Sequence, residues 1–169
     1  MSNILSEESS SRIEGVDVKE KEKRVNIGGR AELKFIGVVE SSDEMESKVQ
    51  ILPEFCKGLK GINDFSHITI LYWIHLRDSE KERRTLLVSP RKHAVNFKRG
   101  VFACRSPSRP NPIGLCVVEL MKASGCTITV RGLDAIEGSP IIDIKPYIPR
   151  ADSISNARVP EWTLTGPPT

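Results

Sequence analysis

From Leu33 onward the chain is cut into short apolar runs by glycines, prolines and charged turns, and it carries no long stretch with the apolar period of an amphipathic helix. The expected strands are residues 33–40, 48–52, 67–76, 85–88, 100–104, 115–121, 127–131 and 140–145. In the first of these Leu33, Phe35, Gly37 and Val39 alternate with Lys34, Ile36, Val38 and Glu40. The run HITILYWIHL (67–76) is the most apolar and is rich in β-branched and aromatic side chains, so it is the expected central strand. A Ser124-Gly125 turn should make a hairpin of its two flanking runs. Pro53 to Ser66 reads as coil with a helical turn, its Phe55, Leu59, Ile62 and Phe65 plugging one end of a core, and residues 159–164 read as an edge strand. The series predicts an all-β, mainly antiparallel fold: a small closed or partly closed β-barrel with short helical turns.

At 169 residues the chain is expected to form one domain, residues 31–169, behind a flexible polar tail at 1–30 in which serines mix with both signs of charge. No apolar run reaches membrane-spanning length and the first residues lack the apolar core of a signal peptide, so a cytoplasmic protein is expected. Cys56, Cys104, Cys116 and Cys126 lie in or beside apolar runs without CxxC spacing; they read as buried free thiols rather than disulfides or zinc ligands, and no metal site is expected. Charge is uneven. From Arg83 to Val118 there are eight Lys or Arg residues and no Asp or Glu, whereas the rest of the chain, with 17 basic and 22 acidic residues, sums to −5. Such a footprint points to a polyanion, nucleic acid first.

Inside that segment GVFACRSPSRPNPIGLCVVEL (100–120) joins two apolar runs by a loop whose Pro107, Pro110 and Pro112 fix φ and push Ser106, Arg109 and Asn111 toward extended conformations. A stiff loop can hold Arg105, Arg109 and Asn111 outward at little further entropic cost on binding. The usual catalytic signatures GxSxG, Walker A and HExxH are missing. His67 and His75 fall at the two ends of one apolar run, too far apart to share a metal or a proton, and His75 is the better site candidate. Asp143 faces opposite to Ile142 and Ile144, which makes Lys145, two residues on, its natural partner.

Three stretches, EFCKGLKGINDFSHITILYWIHL, GVFACRSPSRPNPIGLCVVEL and GLDAIEGSPIIDIKPYIP, resemble the TsaA-like family of tRNA methyltransferases, in order and over about Leu33 to Asp152. The resemblance implies N6-methylation of threonylcarbamoyladenosine beside the tRNA anticodon with S-adenosylmethionine. It also implies a compact β-barrel working as a homodimer, with the cofactor near the subunit interface. By motif, the cofactor contacts would be His75, Leu76, Arg105, Leu115 and the turn Glu137-Gly138-Ser139-Pro140. Here Gly138 leaves backbone open to a close ligand, and Arg105 could pair with a carboxylate of cofactor or substrate. Two departures stand out. Relatives often carry a Pro- and Gly-rich loop after the first strand that helps to build the cofactor site, where this chain has the short acidic Ser41 to Ser47; many also carry a C-terminal extension. Substrate affinity is therefore expected to rest on the segment from Arg91 and Lys92 to Arg109 and Asn111, and on the second subunit.

Methyl transfer from a sulfonium is an in-line displacement, which chiefly asks the protein to align the nucleophile and exclude water. The substrate's N6 is bonded to a carbonyl and is a poor nucleophile until it loses its proton. Asp134, Glu137, Asp143, Lys145 and Tyr147 cluster near two glycine turns; Asp143 or a neighbouring carboxylate is the expected acceptor of that proton, directly or through water, with Lys145 and Tyr147 positioning the base or the threonyl carboxylate. A non-catalytic RNA-binding barrel and a methyltransferase of the same fold acting on another substrate stay open as alternatives.

Overall fold

The structure is a computed structural model and describes residues 32–43, 45–89 and 97–164. The expected tail at 1–30 lies outside the described residues, as do Arg91 and Lys92. Among the described residues of the unit Leu33–Thr169 eight strands form: β1 (Gly37–Ser42), β2 (Ser47–Ile51), β3 (His67–Trp73), β4 (Leu87–Val88), β5 (Arg99–Gly100), β6 (Ile113–Ser124), β7 (Thr127–Arg131) and β8 (Pro140–Pro146). Six of them close an antiparallel barrel in the order β1-β2-β7-β6-β3-β8, and β4 and β5 pair as a separate two-stranded ribbon. Among the described residues no helix is long and apolar enough to cross a membrane, and no group of three His, Cys, Asp or Glu side chains could hold a metal ion.

The alternation that predicted the strands also fills the barrel. Val49 and Ile51 of β2, Ile68, Ile70 and Tyr72 of β3, Val118 and Leu120 of β6, and Ile128 and Val130 of β7 are buried, while the residues between them face outward. A narrow lumen suits branched side chains of this size. β3 is central as expected, laddered to β6 through seven register pairs from His67↔Glu119 to Trp73↔Ile113, and to β8 on its other side. A bulge between Leu71 and Tyr72 of that second ladder changes parity in β8. Ile141 and Ile144 both pack on the core as a result, and Asp143 and Lys145 share the outer face.

The barrel end beside His67 is plugged by Phe55, Leu59 and Ile62 from the 3₁₀ segments Pro53–Leu59 and Ile62–Asp64. The Asn63 amide bonds both ways to the Ala123 backbone, receiving its N–H at 2.8 Å and donating to its carbonyl at 3.0 Å. Phe65, expected in the same plug, is exposed. At this end the cysteine reading needs correction. Cys56 of the plug and Cys126 of the β6–β7 turn form a disulfide, their Cα atoms 5.0 Å apart although 70 residues separate them in sequence. No local spacing could signal a contact made by the plug folding under a hairpin. Cys104 and Cys116 are free.

Several boundaries moved because ladder partners, not local composition, decide where a strand stops. Residues 33–36 make no strand, leaving Leu33 and Phe35 exposed, and β1 instead runs on to Ser42. The Asp43 carboxylate then closes the acidic turn by accepting the Met45 and Glu46 N–H groups at 2.8 and 2.7 Å. The central strand ends at Trp73, and His75–Arg77 is a 3₁₀ turn. Residues 101–103, expected in a strand, form another 3₁₀ turn, and the expected edge strand at 159–164 is a loop ending in the turn Glu161–Thr163. Trp162 of that turn packs edge-on against Phe97, their ring centroids 6.3 Å apart.

Candidate functional site

At the open end of the barrel, opposite the plug, lies a groove of about 1250 Å³. Its walls come from the end of β3, the His75–Arg77 turn, the proline-rich loop at 104–111, the start of β6 and the segment from Asp134 to Ser139. A shallower hollow of about 430 Å³ over the plug includes Lys57 and Lys60. The groove is the candidate site because it gathers the charged loop, the glycine turn and a histidine with an unsatisfied nitrogen.

The proline-rich loop is fixed from beneath. The Ile74 N–H donates to the Pro112 carbonyl at 2.8 Å, the Arg77 guanidinium donates to the Ser108 hydroxyl at 3.0 Å, and Ser108 and Pro112 are buried. Arg77 also pairs with Glu82 at 3.2 Å. Arg83, from the short helix α1 (Glu80–Arg83), donates to the Pro110 carbonyl at 3.1 Å, stacks over the Trp73 ring and bonds to Asp78, whose carboxyl it holds below the ordinary carboxylate range. The charged turn at 78–84 thus braces the arginine loop, a role its sequence did not suggest.

Of the residues expected in the site, His75, Leu76, Arg105, Arg109, Asn111, Leu115 and Ser139 line the groove. Gly138 adopts φ +80°, open to glycine and strained for other residues, and a Cβ added there would sit 3.9 Å from His75 Nε2. His75 Nδ1 is buried without a hydrogen-bond partner among the described residues. Glu137 is exposed beside this turn, and Pro140 opens β8 after it. Two sequence stretches that lie far apart in the chain therefore meet at His75 and Gly138.

The expected catalytic trio is not brought together in the groove. Lys145 Nζ binds Asp143 Oδ2 at 2.7 Å on the outer face of β8, where Asp143 is the register partner of Leu71. Tyr147 lies at the plugged end, its N–H bonded to the His67 carbonyl at 3.1 Å.

Sequence reasoning missed Tyr72 and placed Asp134 only within a cluster of charged residues near two glycine turns. The Tyr72 hydroxyl donates to Asp134 Oδ1 at 2.7 Å, and burial, helped by that bond, pushes the phenol well above its ordinary pKa. The Tyr72 ring lies where any side chain on Gly114 would have to go, since an added Cβ would come within 2.2–2.6 Å of it. A glycine inside the apolar run of β6 was the available signal, because glycine in a strand often marks a close approach. Cys116, two residues on, donates to the Gly132 carbonyl at 3.1 Å, and burial pushes its thiol up.

Residues 39–153 match the tRNA-methyltransferase O N-terminal domain. A Methanothermobacter thermautotrophicus protein described as a probable S-adenosyl-L-methionine-binding protein is 51% identical over 109 residues, covering 64% of this chain and 74% of its own length. An S-adenosyl-L-methionine-binding protein of Archaeoglobus fulgidus is 41% identical over 136 residues, covering 73% of this chain and 94% of its own. Among solved structures, that of TrmO from Pseudomonas aeruginosa superposes with a TM-score of 0.65 at 25% identity, over 83% of this chain and 66% of the other. The present chain spans about two thirds of that protein. With the family match running through the barrel strands, the arginine loop and the glycine turn, the chain belongs to the tRNA-methyltransferase O N-terminal domain family.

Proposed function

We propose that this chain is an S-adenosylmethionine-dependent methyltransferase acting on N6 of threonylcarbamoyladenosine next to the anticodon of tRNA, as a cytoplasmic homodimer whose catalytic domain is residues 31–169. The observation that carries the reading is that His75, with its unsatisfied buried Nδ1, lines one groove with Arg105 and Ser139 and has the open backbone of Gly138 beside it. An orphaned buried nitrogen asks for a ligand donor or acceptor beside this turn. Leu76, Phe102 and Ile136, all well exposed, give the same groove apolar surfaces on which a flat ring can lie. These residues suit the cofactor. When bound it supplies an electrophilic methyl group.

The protein's part is then positional. His75, Leu76, Leu115 and the Glu137 to Pro140 turn hold the nucleoside end, and Arg105 meets a carboxylate of cofactor or substrate. Arg109 and Asn111, on the braced loop, meet the tRNA backbone, and Arg91 and Lys92, outside the described residues, are assigned to the same substrate by their charge. Leu115, Val117 and, past the charged Glu119, Met121 are exposed apolar residues on the outer face of β6, starting at the groove, which fits coverage by a second copy.

Calorimetry with S-adenosylmethionine and single-turnover methylation of matched tRNAs with and without the threonylcarbamoyl group test the reading. Cofactor uptake with methylation of the modified tRNA alone is expected. RNA binding without cofactor uptake would make the chain a non-catalytic barrel, and equal methylation of both tRNAs would move the substrate elsewhere.

A further inference from the structure

We propose that Asp134 is the group that takes the proton from the acceptor nitrogen, with Tyr72 as its positioning residue; the assignment rests on the methyltransferase reading above. Among the described residues lining the groove Asp134 is the one acid, and Arg77, Arg105 and Arg109 line the same groove. Its placement is over-determined. Leu133 and Ala135 on either side are buried, so the backbone is pinned and the side chain between them is turned out, exposed, at the groove wall. Tyr72, itself buried and backed by Gly114, then holds Oδ1 at 2.7 Å. The phenol's raised pKa keeps it protonated, and so donating, through the neutral range. Cys116 from β6 lies within electrostatic reach of both Asp134 and Arg105.

Asp143, by contrast, has its charge met by Lys145 at 2.7 Å and lies one strand away from the groove. A carboxylate already neutralised by a neighbouring ammonium is a weaker proton acceptor than one facing the site. In the step itself the acceptor nitrogen bonds the methyl carbon as the carbon–sulfur bond breaks with its electron pair, leaving a neutral thioether. The N6 proton passes to the Asp134 carboxylate and from there to solvent. Positioned proton transfer of this kind contributes about 10²–10⁴-fold.

The test compares Asp134→Asn, Asp134→Glu, Tyr72→Phe and Asp143→Asn in single-turnover methylation at saturating cofactor and threonylcarbamoylated tRNA. Calorimetry with S-adenosylmethionine and with S-adenosylhomocysteine runs alongside. Asp134→Asn should lose about 10²-fold or more in rate while both affinities stay within about threefold, which marks an interaction made in the transition state. Asp134→Glu should recover part of that loss, Tyr72→Phe should lose about tenfold in rate with affinities kept, and Asp143→Asn should lose less than Asp134→Asn. An Asp134→Asn protein, folded by circular dichroism, that keeps its rate would overturn the assignment. So would one that loses affinity for S-adenosylmethionine but not for the demethylated product, since Asp134 would then be the sulfonium's counter-charge. If the unaltered chain took up neither cofactor form, the methyltransferase reading itself would fall.

Discussion

Gly114 shows how much of the groove hangs on one hydrogen atom. A methyl group there would overlap the Tyr72 ring at 2.2–2.6 Å, and that ring cannot retreat because it is buried in the barrel and tied through its hydroxyl to Asp134. Gly114→Ala should therefore cost about 1–3 kcal/mol in urea unfolding, the range for overpacking a filled core, and should disturb the groove carboxylate even where the barrel survives. Tyr72 adds a pH signature. Its folded pKa is raised, first by burial and then by the bond to Asp134, so its share of stability is present below about pH 10, the ordinary phenol value, and is lost as the pH climbs through the folded pKa. Denaturation midpoints followed from neutral to strongly alkaline pH should fall more steeply for the natural chain than for Tyr72→Phe.

At the scale of elements, the Cys56–Cys126 bridge joins a 3₁₀ plug to a hairpin turn across 70 residues. A link of that span restricts the unfolded chain, so Cys56→Ser or reduction should lower stability by about 2–4 kcal/mol, read as a shift in the urea midpoint with and without reductant. The plug is also where reading the sequence both worked and failed. Phe55, Leu59 and Ile62 could be recognised as a stopper because their spacing puts apolar groups together locally, whereas the bridge depends on a turn folded from residues far along the chain. The strands divide in the same way. β7 was legible because alternation persists to its ends; residues 33–36 and 159–164 have the right residues but no register pair in the sheet. In the groove, His75, Arg105 and Gly138 were legible through motif, and Gly138 further through chemistry. Asp134 was legible only as one of several acids near the glycine turns, and Tyr72 was not, since an inward tyrosine in a strand looks like core until its hydroxyl is seen to reach the wall.

For the molecule as a whole, the positive segment and the exposed apolar residues of β6 are both surfaces that a partner would cover. Val117, 44% exposed between Leu115 and Met121, is the position to test. Val117→Glu should leave the barrel folded, with a melting temperature within a few degrees as expected for a surface change. It should shift sedimentation from dimer to monomer, and an unchanged sedimentation coefficient would place the second copy elsewhere. One feature of the closure bears on what ligand binding does to the entire barrel. β1 meets β8 through two register pairs, Gly37↔Ile141 and Val38↔Pro140, and just beyond them the ring is held by Gly138 N–H to the Val39 carbonyl at 2.9 Å and Val39 N–H to the Ser139 carbonyl at 3.0 Å. The clasp of the cylinder is thus the same turn that borders the groove, so a molecule lodged there fastens the one place where the cylinder could spring open. Amide exchange at Val39 and Gly138 should slow on cofactor uptake by more than exchange in β6 and β7, making the guest a rivet in its host's wall.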